Sequence, residues 1–119
     1  MSEPIPKQPN SYYCFICGVR NDASLRTVFY DVTSEEGQPE TLAKFTGRSE
    51  HQGYPGRMHG GAATGILDET IGRAINSAKG EGDPTTWGVA VELNVRFHKP
   101  VPLDTELTAR GRITRERRR

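Results

Sequence analysis

The stretch His51–Lys79 decides the fold. It reads HQGYPGRMHGG followed by AATGILDETIGRAINSAK. A glycine-rich loop therefore leads into a segment in which apolar residues recur every three or four positions, as the buried stripe of a helix requires. The members of this stripe are Ala63, Ile66, Leu67, Ile71, Ala74, Ile75 and Ala78. The spacing predicts one long amphipathic helix whose buried stripe is centred near Leu67 and Ala74.

Asp68 lies at the margin of the predicted stripe. A helix turns by about 100° per residue, so Asp68 falls beside Ile71 and Ile75. Glu69 is expected to point towards solvent and to pair with Arg73, four residues later. Three glycines share the side of Asp68, namely Gly61, Gly65 and Gly72. Because each glycine costs about 1 kcal/mol relative to alanine in a helix, we expect another backbone or a ligand to approach this face closely. An acidic residue beside such a face is the first candidate for chemistry.

The composition describes a single polar domain of 119 residues. The formal net charge is only +1, so the overall electrostatic potential of the chain does not favour binding to nucleic acid or to an anionic membrane. Only 34% of the residues are hydrophobic and the mean hydropathy is −0.67, so the core is expected to be completed by association or by further chain. There is no apolar run of about 20 residues and no apolar signal region at the N-terminus. We therefore expect a cytoplasmic enzyme or binding protein with neither a nucleic-acid nor a membrane partner.

Cys14 and Cys17 form a CxxC motif. Two ligands do not make a zinc site, and neither a second CxxC nor a spaced pair of histidines completes one. A redox dithiol normally opens a helix, whereas here Gly18 follows at once. The preferred interpretation is that both cysteines pack as small apolar residues, with no metal and no cofactor. A metal or a disulfide shared between chains is the alternative.

The rest of the chain predicts an antiparallel sheet beside the one helix. Residues 1–11 are expected to form an extended N-terminal arm, because they carry three prolines among polar residues. The predicted strands are Leu25–Val32, Thr41–Thr46, Trp87–His98 and Leu107–Ile113. The order β-β-α-β-β fits an α+β layout with the helix on one side of the sheet. Since the last strand would be a bare edge, we expect further strands after Arg119 or pairing with other chains.

Three motifs together carry a family resemblance: HQGYPGRMHGG, LDE and VELNVRFHKPVP. The chain resembles the hotdog-fold acyl-CoA thioesterases, in the phenylacetate-degradation (PaaI-like) branch, and CFICG resembles the CFxCG opening of one subset of that branch. The resemblance implies a hotdog fold, an antiparallel sheet wrapped around one long central helix, in dimers or tetramers. It implies that residues 12–119 are a single hotdog domain, incomplete at its C-terminus because about two further strands follow in the family.

The resemblance also implies the roles of residues. Gly60, in the motif His59-Gly60-Gly61, would present its backbone N–H to the thioester carbonyl oxygen, and Asp68 would act as general base or nucleophile. His59 is expected to hold the loop by hydrogen bonds. The positions expected around the substrate are His51, Gly53, His59, Gly61, Glu69 and Ala90.

Two positions depart from the family pattern. The family often has an asparagine six residues before the histidine of HGG, where this chain has Gly53. His51 and Gln52 are the candidates to take over that role. A serine or threonine that holds the attacking water often lies in the following strand, where this chain has Ala90. No replacement for this second residue is visible.

Helix geometry predicts a dimer independently of the family. Gly60 and Asp68 are eight residues apart, so a rise of 1.5 Å per residue separates them by about 12 Å. A nucleophile and an oxyanion hole that serve one carbonyl must both lie within about 3 Å of the reacting atoms. Two antiparallel helices that cross at the glycine-lined face can satisfy both conditions, with Gly60 from one subunit and Asp68 from the other.

The leading function is hydrolysis of an acyl-CoA or acyl-carrier thioester. The alternative is a non-catalytic acyl-CoA-binding protein on the same fold, favoured by Gly53 and Ala90. A hotdog dehydratase is a third option, but the paired aspartate and histidine of those enzymes are not visible.

Overall fold

A three-stranded antiparallel sheet packs against one long helix. The computed structural model describes residues 7–78 and 89–115. The strands are β1 (Val28–Thr33), β2 (Pro39–Thr46) and β3 (Glu106–Gly111), in the order β1-β2-β3, and helix α1 is Gly60–Ala78. The α+β layout is confirmed. The predicted strand start at Trp87 and residues 1–6 of the predicted N-terminal arm lie outside the described residues. Within the described ranges, no helix is long and apolar enough to cross a membrane.

The inner face of the sheet contributes to the core. Antiparallel register pairs Phe29 of β1 with Ala43 of β2, and Ala43 with Ala109 of β3. Phe29 and Ala43 are fully buried, and Ala109 packs against the same cluster. Alternation along each strand places these side chains on one face, which α1 covers.

Helix α1 buries residues four apart, a set that shares only Ile66 and Ala74 with the predicted stripe. Its buried positions are Ala62, Ile66, Thr70 and Ala74. The predicted burial of Ala74 is confirmed, whereas the predicted burial of Leu67 and Ile71 is wrong, since they are 37% and 52% exposed. The reason is Thr70, whose hydroxyl donates to the Ile66 carbonyl at 2.6 Å. With its one donor satisfied inside the helix, this polar residue can be buried, which a count of apolar residues does not detect.

The N-terminal segment lies across the helix and β1. The Gln8 N–H donates to the Phe29 carbonyl at 2.8 Å, and Lys7 forms an antiparallel bridge with Tyr30. Ile16 packs on α1 at Gly65, where a Cβ would lie 2.9 Å from the Ile16 Cδ1. The close approach expected at the helix glycines is therefore made, at Gly65, by this segment of the same chain.

Arg73 joins the N-terminal segment to α1. Its guanidinium lies 4.1 Å from the centre of the Phe29 ring and donates to the Pro9 carbonyl at 2.9 Å. It also reaches the Cys17 Sγ at 3.3 Å. Cys17 is 1% exposed, and its burial is the main reason that the pKa of this thiol is raised to about 12. In this environment the thiol is neutral and packs as a small apolar group.

The strand predicted over Trp87–His98 is wrong in its described part. Residues 89–98 are irregular, and Val89 and Val91 are 83% and 100% exposed. A strand needs a neighbour to accept and donate its backbone hydrogen bonds, and none of the described residues supplies one to this segment. The alternating pattern therefore produces an exposed apolar surface instead of a fourth strand.

Replacing Gly111 with alanine should destabilise the fold. A Cβ on Gly111 would lie 2.9 Å from both the Cγ2 and the backbone oxygen of Thr70, and the backbone oxygen cannot move aside. We expect Gly111→Ala to lower the free energy of unfolding by roughly 1–3 kcal/mol, as overpacking does. Urea denaturation measures the change. Thr108→Ala, at an exposed position of the same strand, serves as the control and should change stability by less than about 0.5 kcal/mol. Equal effects of the two variants would contradict the close helix–strand approach.

Candidate active site

The loop before α1 is a small hairpin that ends at the start of the helix. Gln52 and Met58 form an antiparallel bridge, and the Gly53 N–H donates to the Arg57 carbonyl at 2.9 Å. The Arg57 N–H donates to the Tyr54 carbonyl at 3.0 Å, and Gly56 has a φ of 79°. Proline before a glycine of positive φ is the pattern of a type II turn. The GYPG segment therefore forms a type II turn.

His51 holds this loop to the body of the protein. Its side chain is 2% exposed. The Nδ1 atom accepts from the Arg48 N–H at 2.9 Å, and Nε2 lies 2.7 Å from the Ala23 carbonyl oxygen, to which it donates in the neutral ring. Both ring nitrogens are therefore engaged, one by the loop and one by the N-terminal segment. His51 consequently reaches the helix start only through its backbone carbonyl, which accepts from the His59 N–H at 2.7 Å.

His59 caps the helix. Its carbonyl oxygen accepts from the Ala63 N–H at 3.1 Å, and its Nδ1 accepts from the Gly61 N–H at 2.8 Å. The expected loop-holding role of His59 thus takes the form of an N-cap. Among the described residues no acceptor lies on the N–H of Gly60, the first residue of α1. This N–H is at the positive end of the helix dipole and is exposed, so it can bind an anion or a polarised oxygen.

Gly53 is required by the packing of the hairpin on His59. A Cβ at this position would lie 2.9 Å from the Cα of His59. An asparagine with the family's role cannot occupy position 53 unless the hairpin and the helix start move apart. Gly53 thus acts as a spacer here, and its lack of a side chain brings His51 and His59 together.

Asp68 lies on an exposed face of α1. We call this the open face, and its exposed members are Gly60, Gly61, Leu67, Asp68 and Ile71. No hydrogen bond or ion pair holds the Asp68 carboxylate within the described part of the chain. Gly60 and Asp68 lie on one straight helix about 12 Å apart. The two candidate groups therefore share a face but cannot meet at one carbonyl within a single chain.

Glu69 does not point to solvent as predicted. Its side chain is 20% exposed, with Oε2 accepting from the Arg73 Nε at 3.0 Å and Oε1 lying 3.0 Å from the Cys14 Sγ. The predicted pair with Arg73 is confirmed. The direction is wrong because the N-terminal segment covers this side of α1, which the helix periodicity does not reveal. Glu69 accordingly lies on a different side of the helix from the open face.

Phe97 is a neighbour of the helix start that sequence reasoning missed. A Cβ on Gly60 would lie 3.4 Å from the Phe97 ring, so the ring is stacked beside the Gly60 backbone. The strand predicted over Trp87–His98 gave no reason to place Phe97 at the helix start, and a separation of 37 residues carries no signal of this contact. Ala90 is exposed in the same irregular segment, and no backbone hydrogen bond ties it to the described residues.

Comparison with known proteins supplies the family. The sequence profile described as Thioesterase superfamily matches residues 55–119, more than half of the chain. The chain belongs to the thioesterase superfamily. The match includes Gly60 and Asp68, and the α+β layout of this thioesterase-superfamily chain is consistent with the hotdog fold. The segment that contains Cys14 and Cys17 lies before the matched region.

Two curated proteins are similar to part of this thioesterase-superfamily chain. Acyl-coenzyme A thioesterase THEM4 of Mus musculus is 38% identical over 66 residues, which cover 56% of this chain and 26% of the mouse protein. The protein of the same name from Bos taurus is 30% identical over 74 residues, which cover 62% of this chain and 27% of the bovine protein. The matched part of the chain thus spans about a quarter of the length of these relatives. No solved structure matches the chain.

Restoring the family's asparagine should destabilise the loop. We expect Gly53→Asn to lower the free energy of unfolding by roughly 1–3 kcal/mol, because its Cβ would overlap the His59 backbone. Thermal or urea denaturation measures this. Tyr54→Ala changes an adjacent side chain that is 83% exposed and should have an effect below about 0.5 kcal/mol. A fully stable Gly53→Asn protein would show that the spacer role assigned to Gly53 is wrong.

Proposed function

We propose that this chain hydrolyses acyl-CoA thioesters, or thioesters of an acyl carrier protein, as a member of the PaaI-like branch. One observation carries the proposal: the N–H of Gly60 has no acceptor among the described residues and lies on the same exposed helix face as the carboxylate of Asp68. The two relatives named acyl-coenzyme A thioesterase support the substrate class. The CFICG and HQGYPG motifs support the branch.

Gly60 would stabilise the oxyanion of the tetrahedral intermediate. The thioester carbonyl oxygen becomes negative when the carbonyl carbon is attacked, and an N–H at the first turn of a helix is aligned to meet that charge. His59 supports this geometry because it occupies the Gly61 N–H with its own Nδ1 at 2.8 Å. The cap fixes the first turn and leaves the Gly60 N–H without an acceptor among the described residues. Loss of one such donor typically costs a factor of 10² to 10³ in turnover.

Asp68 would activate water. As a general base, its carboxylate takes a proton from water while the oxygen of that water bonds to the carbonyl carbon. When the tetrahedral intermediate collapses, the C–S bond breaks and the leaving thiolate takes the proton from Asp68. In the alternative route the Asp68 carboxylate attacks the carbonyl carbon itself, the C–S bond breaks and an anhydride forms with release of the thiolate. Water then cleaves the anhydride to the free acid and the Asp68 carboxylate, and the proton released in this step neutralises the thiolate. Both routes need the carboxylate close to a carbonyl that Gly60 polarises.

A second copy of the chain would complete the site. The 12 Å separation along α1 prevents Gly60 and Asp68 of one chain from acting on one carbonyl. The open face carries the exposed apolar residues Leu67 and Ile71, and the 89–98 segment exposes Val89 and Val91. Apolar surface of this kind favours association. We therefore place Gly60 of one subunit against Asp68 of another in a homodimer, which in turn can pair as a dimer of dimers.

A non-catalytic acyl-CoA-binding protein is the second candidate. It is favoured by Ala90, which has no hydroxyl to hold an attacking water, and by Gly53, which serves as a spacer. Such a protein would bind acyl-CoA at the same helix start without releasing a thiol. Turnover therefore separates the two functions.

Replacing Asp68 should abolish hydrolysis. With a panel of short-chain, long-chain and aromatic acyl-CoAs, thiol release followed with a chromogenic disulfide reagent should fall at least about 100-fold in Asp68→Asn, because general-base catalysis contributes 10² to 10⁴. Asp104→Asn is the matched control. Its carboxylate is exposed, and asparagine tolerates the positive φ of 58° at this position. Binding of acyl-CoA by the wild type without any thiol release would favour the carrier function.

Mixing two inactive variants should restore activity if the site is shared between subunits. Gly60→Pro removes the N–H, while proline is well tolerated at the first position of a helix. Asp68→Asn removes the base. A heterodimer of the two then contains one site with both native groups and one site with neither. Random exchange in an equal mixture should restore about a quarter of the wild-type activity, since half of the dimers are mixed. Absence of any recovery despite verified subunit exchange would contradict a site shared between the subunits.

A further inference from the structure

The fold brings three metal-ligating side chains together outside the candidate active site. One ligand atom from each of Cys14, Cys17 and Glu69 lies within 4.8 Å of the other two. Cys14 and Glu69 are half-buried and Cys17 is buried. We propose that these three residues bind one divalent zinc ion, with water in the fourth position. This site is distinct from the proposed thioester site, and the inference does not depend on the hydrolase function.

The spacing of the ligand atoms is close to what zinc requires. Zinc binds thiolate sulfur at about 2.3 Å in a tetrahedral shell, which places two sulfurs about 3.8 Å apart. Atoms already within 4.8 Å need only small rotamer adjustments to reach that distance. Two sulfurs and a carboxylate oxygen suit zinc, whereas calcium and magnesium prefer oxygen ligands alone.

The backbone turn between the cysteines presents both sulfurs on one side. The Gly18 N–H donates to the Cys14 carbonyl at 2.8 Å, and the Ile16 N–H points to the Cys14 Sγ at 3.4 Å. An N–H directed at sulfur stabilises a thiolate and orients it. Gly18 is required for the turn, because a Cβ there would overlap the Cys14 carbonyl oxygen. The CxxC followed by glycine is thus folded as a compact ligand loop.

Glu69 has one oxygen available for the metal and one held by a second partner. Its Oε1 faces Cys14 at 3.0 Å, while Oε2 accepts from the Arg73 Nε at 3.0 Å. Arg73 also donates to the Cys17 Sγ at 3.3 Å. Hydrogen bonds from an outer residue to ligating groups are typical of metal sites, where they orient the ligands. Arg73 would hold two of the three ligands in this way.

The charges balance when zinc binds. Two thiolates and one carboxylate carry −3, zinc carries +2 and the Arg73 guanidinium +1, so the buried cluster is neutral. Zinc displaces one proton from each thiol to solvent as the two Zn–S bonds form, since a coordinating thiol is deprotonated. Without the metal, the buried Cys17 thiol is protonated and the ion pair between Glu69 and Arg73 remains. Both states are therefore free of an unpaired buried charge, and the metal-bound state adds a link between the N-terminal segment and α1.

Zinc content and cobalt spectra test the proposal. The full-length protein, purified under reducing conditions, should hold one zinc per chain by elemental analysis. Substitution by cobalt should give the sulfur-to-cobalt charge-transfer absorption of a thiolate site in the near ultraviolet. In Cys14→Ser and Cys17→Ser this absorption should be lost or reduced by half or more, and the zinc content should fall at least tenfold. Glu69→Gln should weaken zinc binding by about 10- to 100-fold.

The matched control for the carboxylate is Glu50→Gln. Glu50 is an exposed acid that pairs with Arg48 at 3.2 Å, away from the cysteines, and its replacement should leave zinc content and cobalt spectrum unchanged. A chelator should lower the melting temperature of the wild type but not that of Cys14→Ser. Cys14 is half-buried, so this variant is expected to fold even if Cys17→Ser does not.

Two results would overturn the proposal. The first is a wild-type protein that, when reduced, takes up less than a tenth of an equivalent of zinc and shows no thiolate-to-cobalt absorption. The second is metal binding that is unchanged in Cys14→Ser and Glu69→Gln, which would place the ion on other residues. Thiol release from acyl-CoA is measured separately, so neither result bears on the hydrolase proposal.

Discussion

The hydrogen bond from the His59 N–H to the His51 carbonyl oxygen fixes where helix α1 begins. His51 is itself held by the Arg48 N–H and the Ala23 carbonyl, so the helix start is tied to the N-terminal segment and to the end of β2. Two further bonds tie the same loop to the chain before β3, from Met58 to Val101 and from Asp104 to Gly47. A first turn held at this many points is preorganised. Preorganisation is what a backbone donor needs in order to stabilise charge in a transition state.

Small residues allow these close approaches. Gly53 brings the hairpin against His59, Gly65 accommodates Ile16, and Gly111 lets β3 approach Thr70. None of the three has a positive φ, so their conformational freedom is not the reason for glycine. What matters at each position is the missing Cβ. Glycine has a low helix propensity, so its presence in α1 needs a reason. Packing within the chain supplies that reason at Gly65.

The two sides of α1 have different roles in this thioesterase-superfamily chain. One side is covered by the sheet and the N-terminal segment, and it carries Glu69 and Arg73 in a half-buried polar cluster with the two cysteines. The open face carries Gly60, Asp68 and two exposed apolar side chains. A zinc ion bound by Cys14 and Glu69 would be coordinated by the residue next to Asp68. This coordination would restrict rotation of α1. The proposed metal site and the proposed active site are thereby linked through the backbone of one turn.

The sequence by itself determined the α+β layout, the helix from the HGG motif onward, the strands around Phe29, Ala43 and Ala109, and the Glu69–Arg73 pair. Each of these depends on local periodicity or on spacing within one helical turn, which a single chain displays directly. Only the tertiary structure decided which side of α1 is buried, that residues 89–98 have no neighbouring strand among the described residues, and that Cys14 meets Glu69 and Phe97 meets Gly60. Those contacts join residues 37 to 55 positions apart. No repeat in the sequence encodes such contacts, because they follow from how the elements pack rather than from the pattern within any one of them.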